Sequence, residues 1–206
     1  MKMRILFGAC FVLFFLSGMQ VSAQKSGPRD PMNEGSWLVN FGIGPGIHYY
    51  SGYSTGFGPG FQASVERGMW QLGPGVLTLG GEIGISYFSY TYSGYNYQGN
   101  FYDEDAYRYQ WLSFVTAARS SYHYGWKVKG LDTYGGLSTG MRFLAFSTKY
   151  YGNYSDLDNT YNPGSVSFFF GTFVGASYFF NDLLGINGEL GYNINYAQIG
   201  LVFKLN

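Results

Sequence analysis

The chain has 206 residues, with 12 Lys and Arg balancing 12 Asp and Glu. Only 12% of residues are charged and 21% are aromatic, with 32 glycines, 21 tyrosines and 19 phenylalanines, whereas ordinary soluble domains are nearer a quarter charged. The charge balance leaves no footprint for nucleic acid, and the lack of a long apolar run past the N-terminus excludes a bundle of membrane helices.

The N-terminus reads as a secretory signal: "MKMR" is the positive region, "ILFGACFVLFFLSGM" the apolar stretch, and "VSA" a small-x-small site with the cut after Ala23. Cys10 is the only cysteine. "LFGAC" loosely resembles a lipoprotein acylation site, but the apolar stretch continues past it, so the thiol leaves with the signal. Loss of Lys2 and Arg4 then tips the balance slightly toward acid. The expected organisation is a signal peptide over 1–23, a disordered periplasmic leader over 24–34 and a β-barrel over 35–206.

Eight segments of period-two alternation follow, the pattern of strands with two different faces. The first runs from about Ser36 to Tyr49, with Trp37, Val39, Phe41 and Ile43 opposite Asn40, Gly42 and Gly44. The second, about Phe57 to Arg67, sets Phe61, Ala63 and Val65 against Gln62, Ser64 and Glu66. The third, about Val76 to Tyr90, sets Leu77, Leu79, Ile83, Ile85 and Tyr87 against Thr78, Gly80, Glu82, Gly84 and Ser86. The fourth, about Tyr109 to Tyr122, opposes Leu112, Phe114, Ala118 and Tyr122 to Ser113, Ala117 and Arg119. The fifth, about Leu131 to Phe146, opposes Leu137, Met141 and Phe143 to Gly136, Ser138, Gly140 and Arg142. The sixth, about Ser165 to Tyr178, is apolar on both parities, with Gly171 and Gly175 on the inner one. The seventh, about Leu184 to Tyr192, opposes Ile186 and Leu190 to Asn187, Glu189 and Gly191. The eighth puts Ala197, Ile199, Leu201, Phe203 and Leu205 opposite Gln198, Gly200 and Lys204, up to the end of the chain.

These lengths suit tilted strands crossing a bilayer. Connectors after the second, fourth and sixth segments ("GMWQLGPG", "HYGWKVKG", "FFND") are compact. Those after the third and fifth are long and polar, as external loops of an outer-membrane barrel are. Aromatics bunch at the segment ends: Tyr49, Tyr50, Tyr87, Tyr90, Tyr107, Tyr109 and Trp111 at one, Trp37, Trp70, Trp126, Phe179 and Phe180 at the other. Such bands mark two lipid–water interfaces. A soluble sandwich or lipocalin-like barrel would alternate too, but it would expose the glycines of the polar parity along its surface. In a narrow lumen those glycines have a reason, because eight strands leave little room. The expected fold is therefore all-β, an eight-stranded antiparallel up-and-down transmembrane barrel.

The closing stretch "GASYFFNDLLGINGELGYNINYAQIGLVFKLN" resembles the last hairpins of small outer-membrane β-barrel proteins of Bacteroidetes, similar in plan to OmpX and the OmpA membrane domain. The resemblance rests on the aromatic end "YFF", the short "ND" turn, the inner-Glu strand "GELGY" and the final amphipathic strand. Members usually end on an aromatic, whereas this chain ends Phe203-Lys204-Leu205-Asn206. The resemblance implies an outer-membrane location and a last strand read by the outer-membrane assembly machinery.

The inner parity carries Glu66, Glu82 and Glu189 against Arg119, Arg142 and Lys204. Charges in a narrow lumen must pair, so they are expected to form a hydrogen-bonded plug. Candidate surface contacts are Tyr95, Tyr97, Tyr102, Asp103, Asp105, Tyr154, Asp156 and Asp158, because Tyr-rich loops offer large contact area at low entropy cost. Asp103, Glu104 and Asp105, or Asp156 and Asp158, match only a fragment of a calcium loop and lack its closing Glu, so no metal or other cofactor is expected. His48 near Ser51 and Ser54 lacks a third orienting group for catalysis, and His123 is expected at a periplasmic turn. The function read from these features is non-enzymatic: a monomeric, plugged barrel among lipid and lipopolysaccharide that stabilises the envelope and meets an unidentified surface ligand. The alternatives are a narrow porin-like channel, supported by the glycine-lined inner face, and a lipid-modifying enzyme built on His48.

Overall fold

A computed structural model describes residues 32–46, 58–93, 106–151, 161–192 and 194–205. The strands are β1 (Trp37–Pro45), β2 (Pro59–Leu72), β3 (Gly75–Ser93), β4 (Ala106–Gly125), β5 (Leu131–Tyr151), β6 (Tyr161–Phe179), β7 (Leu184–Tyr192) and β8 (Ala197–Leu205). Each pairs antiparallel with the next, and β8 returns to β1, so the sheet is a closed eight-stranded barrel. Trp37 opposes Leu205 and Ile43 opposes Ile199. The alternation therefore continues to the end of the chain because the last strand has a partner on both sides. Closure removes the free edge over the height shared by all eight strands; beyond Ser86, β3 pairs only with β4, and before Thr172, β6 pairs only with β5.

The two parities separate as expected for a barrel with unlike faces. Outward lie Phe41, Phe61, Ile83, Ile85, Phe114, Leu137, Leu190 and Leu201, all substantially exposed. Inward lie Gln62, Ser64, Glu66, Thr78, Glu82, Arg119, Ser121, Ser138, Asn187 and Glu189, all buried. The molecule is thus polar inside and apolar outside.

Several boundaries differ from those read in the sequence. The segment "GMWQLGPG" is mostly strand: β2 continues to Leu72, with a register shift between Gly68 and Trp70. The bulge moves the outward set from odd to even numbers, from Val65 and Arg67 to Trp70 and Leu72, so a strict period of two loses the strand there. Only Gly73 and Pro74 form the turn, and Gly73 adopts φ 60° at the first central position of the hairpin. At the other end β1 stops at Pro45 opposite Pro59. Strands β3 to β6 run further than their alternation shows, which shortens the two long connectors to 94–105 and 152–160. Alternation marks a strand only while its two faces differ in environment.

The aromatic bands also need correction. Phe179 points inward and joins Met32, Leu38, Val76 and Val202 in a buried cluster at one end of the barrel. Its neighbour Phe180 faces out, as do Trp37, Trp70 and Trp126. At the opposite end Tyr109 and Trp111 share the inward parity of β4. Trp111 lies 5.3 Å from buried Phe88 and 5.1 Å from Phe146, and Tyr109 stacks 6.1 Å from Trp111. Tyr87 is outward and accepts a 2.7 Å bond from Gln110 Nε2.

Met32 belongs to the segment read as a disordered leader, yet it is buried in the barrel end. Gly35 N donates to Gly68 O at 2.8 Å and Gly68 N donates to Ser36 O at 2.9 Å, fastening this approach to β2 at its bulge. The signal peptide over 1–23, Cys10, the remainder of the leader, Tyr49 and Tyr50 lie outside the described residues.

Candidate functional site

Arg119 is placed by β4, whose inward face reads Ser113, Val115, Ala117, Arg119, Ser121 and His123. Its guanidinium gathers three carboxylates from three other strands. Arg119 Nε donates to Glu66 Oε1 of β2 at 2.7 Å, and Nη1 donates to Glu82 Oε2 of β3 at 3.0 Å. Across the lumen, Nη2 and Nη1 donate to the two oxygens of Glu189 on β7 at 2.6 and 3.3 Å. All four side chains are almost wholly shielded from solvent. The forked geometry of guanidinium suits this task, since it offers several donors in one plane.

One cation among three anions leaves negative charge that other donors help to satisfy. Thr78 Oγ1 and Ser121 Oγ each donate to Glu66 Oε2 at 2.6 Å. Gln62 Nε2 donates to Glu82 Oε2 at 3.1 Å, and Tyr134 Oη donates to Glu189 Oε2 at 3.2 Å. The Phe173 ring completes the enclosure, with Arg119 Cζ 3.6 Å from its centroid. His123 joins through Glu66: its Nε2 lies 3.8 Å from Glu66 Oε2, while its Nδ1 lies 2.7 Å from Asp132 Oδ2. The imidazole also stacks on Tyr134, centroids 5.0 Å apart.

Of the six lumenal charges read in the sequence, Glu66, Glu82, Arg119 and Glu189 meet in this cluster. Arg142 is also inward and buried but sits elsewhere, its Cζ 5.2 Å from the Phe169 ring. Lys204 lies near the other end, half-buried, beside a small cavity shared with Lys129, Phe180 and Asp182. Neither contributes to the Arg119 ion pairs. His123 is not at a turn; it occupies a buried inward position of β4. Asp132 and Tyr134 were missed, although the parity that places Gly136, Ser138, Gly140 and Arg142 inside passes through both when carried back toward the start of β5. An acid so close to a turn reads instead as part of the turn.

Above the ion cluster the lumen turns apolar. Val115, Ala117 and Phe169 pack with Ile194, which comes from the connection between β7 and β8. Below it lies the Met32 cluster. The described inward side chains are thus layered along the barrel axis, with the ion cluster between two apolar clusters. Among the described residues no group of three His, Cys, Asp or Glu is placed to hold a metal ion. His48, Ser51, Ser54, Tyr95, Tyr97, Tyr102, Asp103, Glu104, Asp105, Tyr154, Asp156 and Asp158 lie outside the described residues.

No protein-family model matches the chain, and no curated protein matches it. Among solved structures, Ail, the attachment invasion locus protein of Yersinia pestis, in complex with the heparin analogue sucrose octasulfate, is 10% identical with a TM-score of 0.41. That match covers 84% of this chain and all of Ail (100%). The N-terminal β-barrel domain of Pseudomonas aeruginosa OprF is 14% identical with a TM-score of 0.40, covering 84% of this chain and 98% of that domain.

Proposed function

We propose that the chain is a non-enzymatic outer-membrane β-barrel protein with a closed lumen, acting through its outer wall and its external loops. One observation carries this reading: the barrel is inverted relative to a soluble one. Ile83 on the outer face of β3 is 53% exposed, while its neighbour Glu82 on the inner face is 3% exposed. The outward apolar positions of β3 run from Leu77 to Tyr87. At ~3.3 Å per residue and a tilt of about 40°, that span covers roughly 25 Å, the height of the apolar band of an outer-membrane barrel. Water would penalise such a surface on every strand, whereas hydrocarbon accommodates it.

The closed-lumen part of the reading is supported by the Arg119 cluster. A path for ions would have to break several charge-assisted hydrogen bonds at once. The pore alternative draws on inward glycines, but at several of them a neighbouring side chain takes up the space: a Cβ on Gly42 would meet Gln198 Oε1 at 2.7 Å, and one on Gly84 or Gly175 would overlap the side chain of Ile194 or Tyr134. The surface role is assigned to the loops bearing Tyr95, Tyr97, Tyr102, Asp103, Asp105, Tyr154, Asp156 and Asp158, with lipid and lipopolysaccharide around a monomeric barrel. Recognition by the assembly machinery is assigned to β8.

Three measurements test this. The refolded protein is expected to migrate faster on gels before boiling than after, and to insert into vesicles. Planar-bilayer recordings of the same preparation are expected to be silent; a steady native current would overturn the closed lumen and put the pore reading in its place.

A further inference from the structure

We infer that the hairpin joining β7 to β8 is a built-in stopper that seals the outer mouth of the lumen independently of the ion cluster beneath it. The inference rests on the closed barrel proposed above and adds a second seal. A side chain near the tip of a short hairpin ordinarily stands in solvent. Ile194 is instead 3% exposed, packed among Val115 and Ala117 of β4 and Phe169 of β6.

The seat is shaped for this hairpin by what the wall lacks. A Cβ added to Gly84 would overlap the side chain of Ile194, and one added to Gly60 would overlap Asn195 Oδ1. Two inward glycines on neighbouring strands thus receive two consecutive residues of the hairpin. Asn195 is buried as well, and its Nδ2 donates to Gln198 Oε1 at 3.0 Å. Among the described residues the backbone fastens the hairpin to β7 and to the end of β1: Gly191 N donates to Tyr196 O at 3.0 Å, Asn195 bridges Gly46, and Tyr196 N donates to Pro45 O at 3.3 Å.

Against β3, β4 and β6 the described contacts are side-chain packing. That arrangement, held by backbone bonds at β1 and β7 and by side-chain packing elsewhere, is what a stopper needs. Ala117 lies two residues from Arg119 on the same inward face, so the two seals stand in series. The stopper excludes solutes from the upper lumen, and lifting it uncovers the Ala117 level without opening a path through the Arg119 cluster.

The test places a reporter thiol under the stopper in a chain carrying Cys10→Ser. Ala117→Cys, refolded into vesicles and confirmed by its heat-shifted migration, is treated with a charged, membrane-impermeant methanethiosulfonate. Labelling is expected to be at least tenfold slower with Ile194 present than with Ile194→Gly, and Ile194→Val is expected to stay near the slow rate. Ser138→Cys, nearly isosteric, buried and paired with Arg119 below the Ala117 level, serves as reporter if Ala117→Cys fails to fold. Equal rates with and without the Ile194 side chain, whether fast or slow, would overturn the stopper. Bilayer current separates this from the parent reading: a silent but freely labelled barrel removes only the stopper, whereas steady native current removes the closed lumen.

Discussion

Arg119 and Glu189, 70 positions apart in the chain, face each other across the lumen and share two hydrogen bonds of 2.6 and 3.3 Å. The pair ties β4 to β7, strands on different sides of the barrel, and Glu66 and Glu82 join the same guanidinium from β2 and β3. Buried ion groups of this kind cost a great deal to break and little to replace as a whole.

Arg119→Leu is therefore expected to destabilise the barrel by ~3–5 kcal/mol, since it strands three buried carboxylates. A fourfold variant that adds Glu66→Gln, Glu82→Gln and Glu189→Gln is expected to recover at least half of that loss. Urea unfolding from vesicles measures both, and a fourfold variant weaker than the single one would refute the account.

Ile83 lies near the middle of the stretch from Leu77 to Tyr87 on the outer face of β3. Ile83→Arg at the centre of the apolar band is expected to cost ~2–4 kcal/mol in vesicles. Ile83→Val is expected to change little. A tolerated arginine at this position would argue that the outer wall faces water.

Gly84 has no Cβ where the Ile194 side chain sits. Gly84→Val is expected to lower stability by ~1–3 kcal/mol through overpacking. Adding Ile194→Gly is expected to relieve part of that cost, so that the double variant is less impaired than the two singles predict. Strict additivity in a double-mutant cycle would mean that the residues do not compete for this space.

Met32 is the first described residue and lies in the cluster of Leu38, Val76, Phe179 and Val202. Met32→Ala is expected to cost about 2 kcal/mol, the low end for a buried methionine because the site lies at the barrel's end. An unchanged unfolding midpoint would return this residue to the leader.

Much of the architecture is legible in the residues alone. Strand faces are a local property: Leu77, Leu79, Ile83 and Ile85 against Thr78, Glu82 and Ser86 need no partner to declare a period of two. Inward and outward membership of Glu66, Glu82, Arg119 and Glu189 follows from the same count. The parity fails where geometry interrupts it, as at the β2 bulge, and it was not carried far enough to reach Asp132 and His123.

The eight-strand plan, and the side of the wall on which most strand residues stand, follow from the residues alone, because alternation is written in neighbours along the chain. Which inward residues share a height is set by folding. Arg119 meets Glu66, Glu82 and Glu189 but not Arg142 or Lys204 because strand register and the stagger of a closed barrel set height along the axis, and neither leaves a mark on local periodicity. For the same reason only the folded chain shows Ile194 entering the space left by Gly84: a hairpin's tip sequence does not say whether it bends outward to solvent or inward to a lumen.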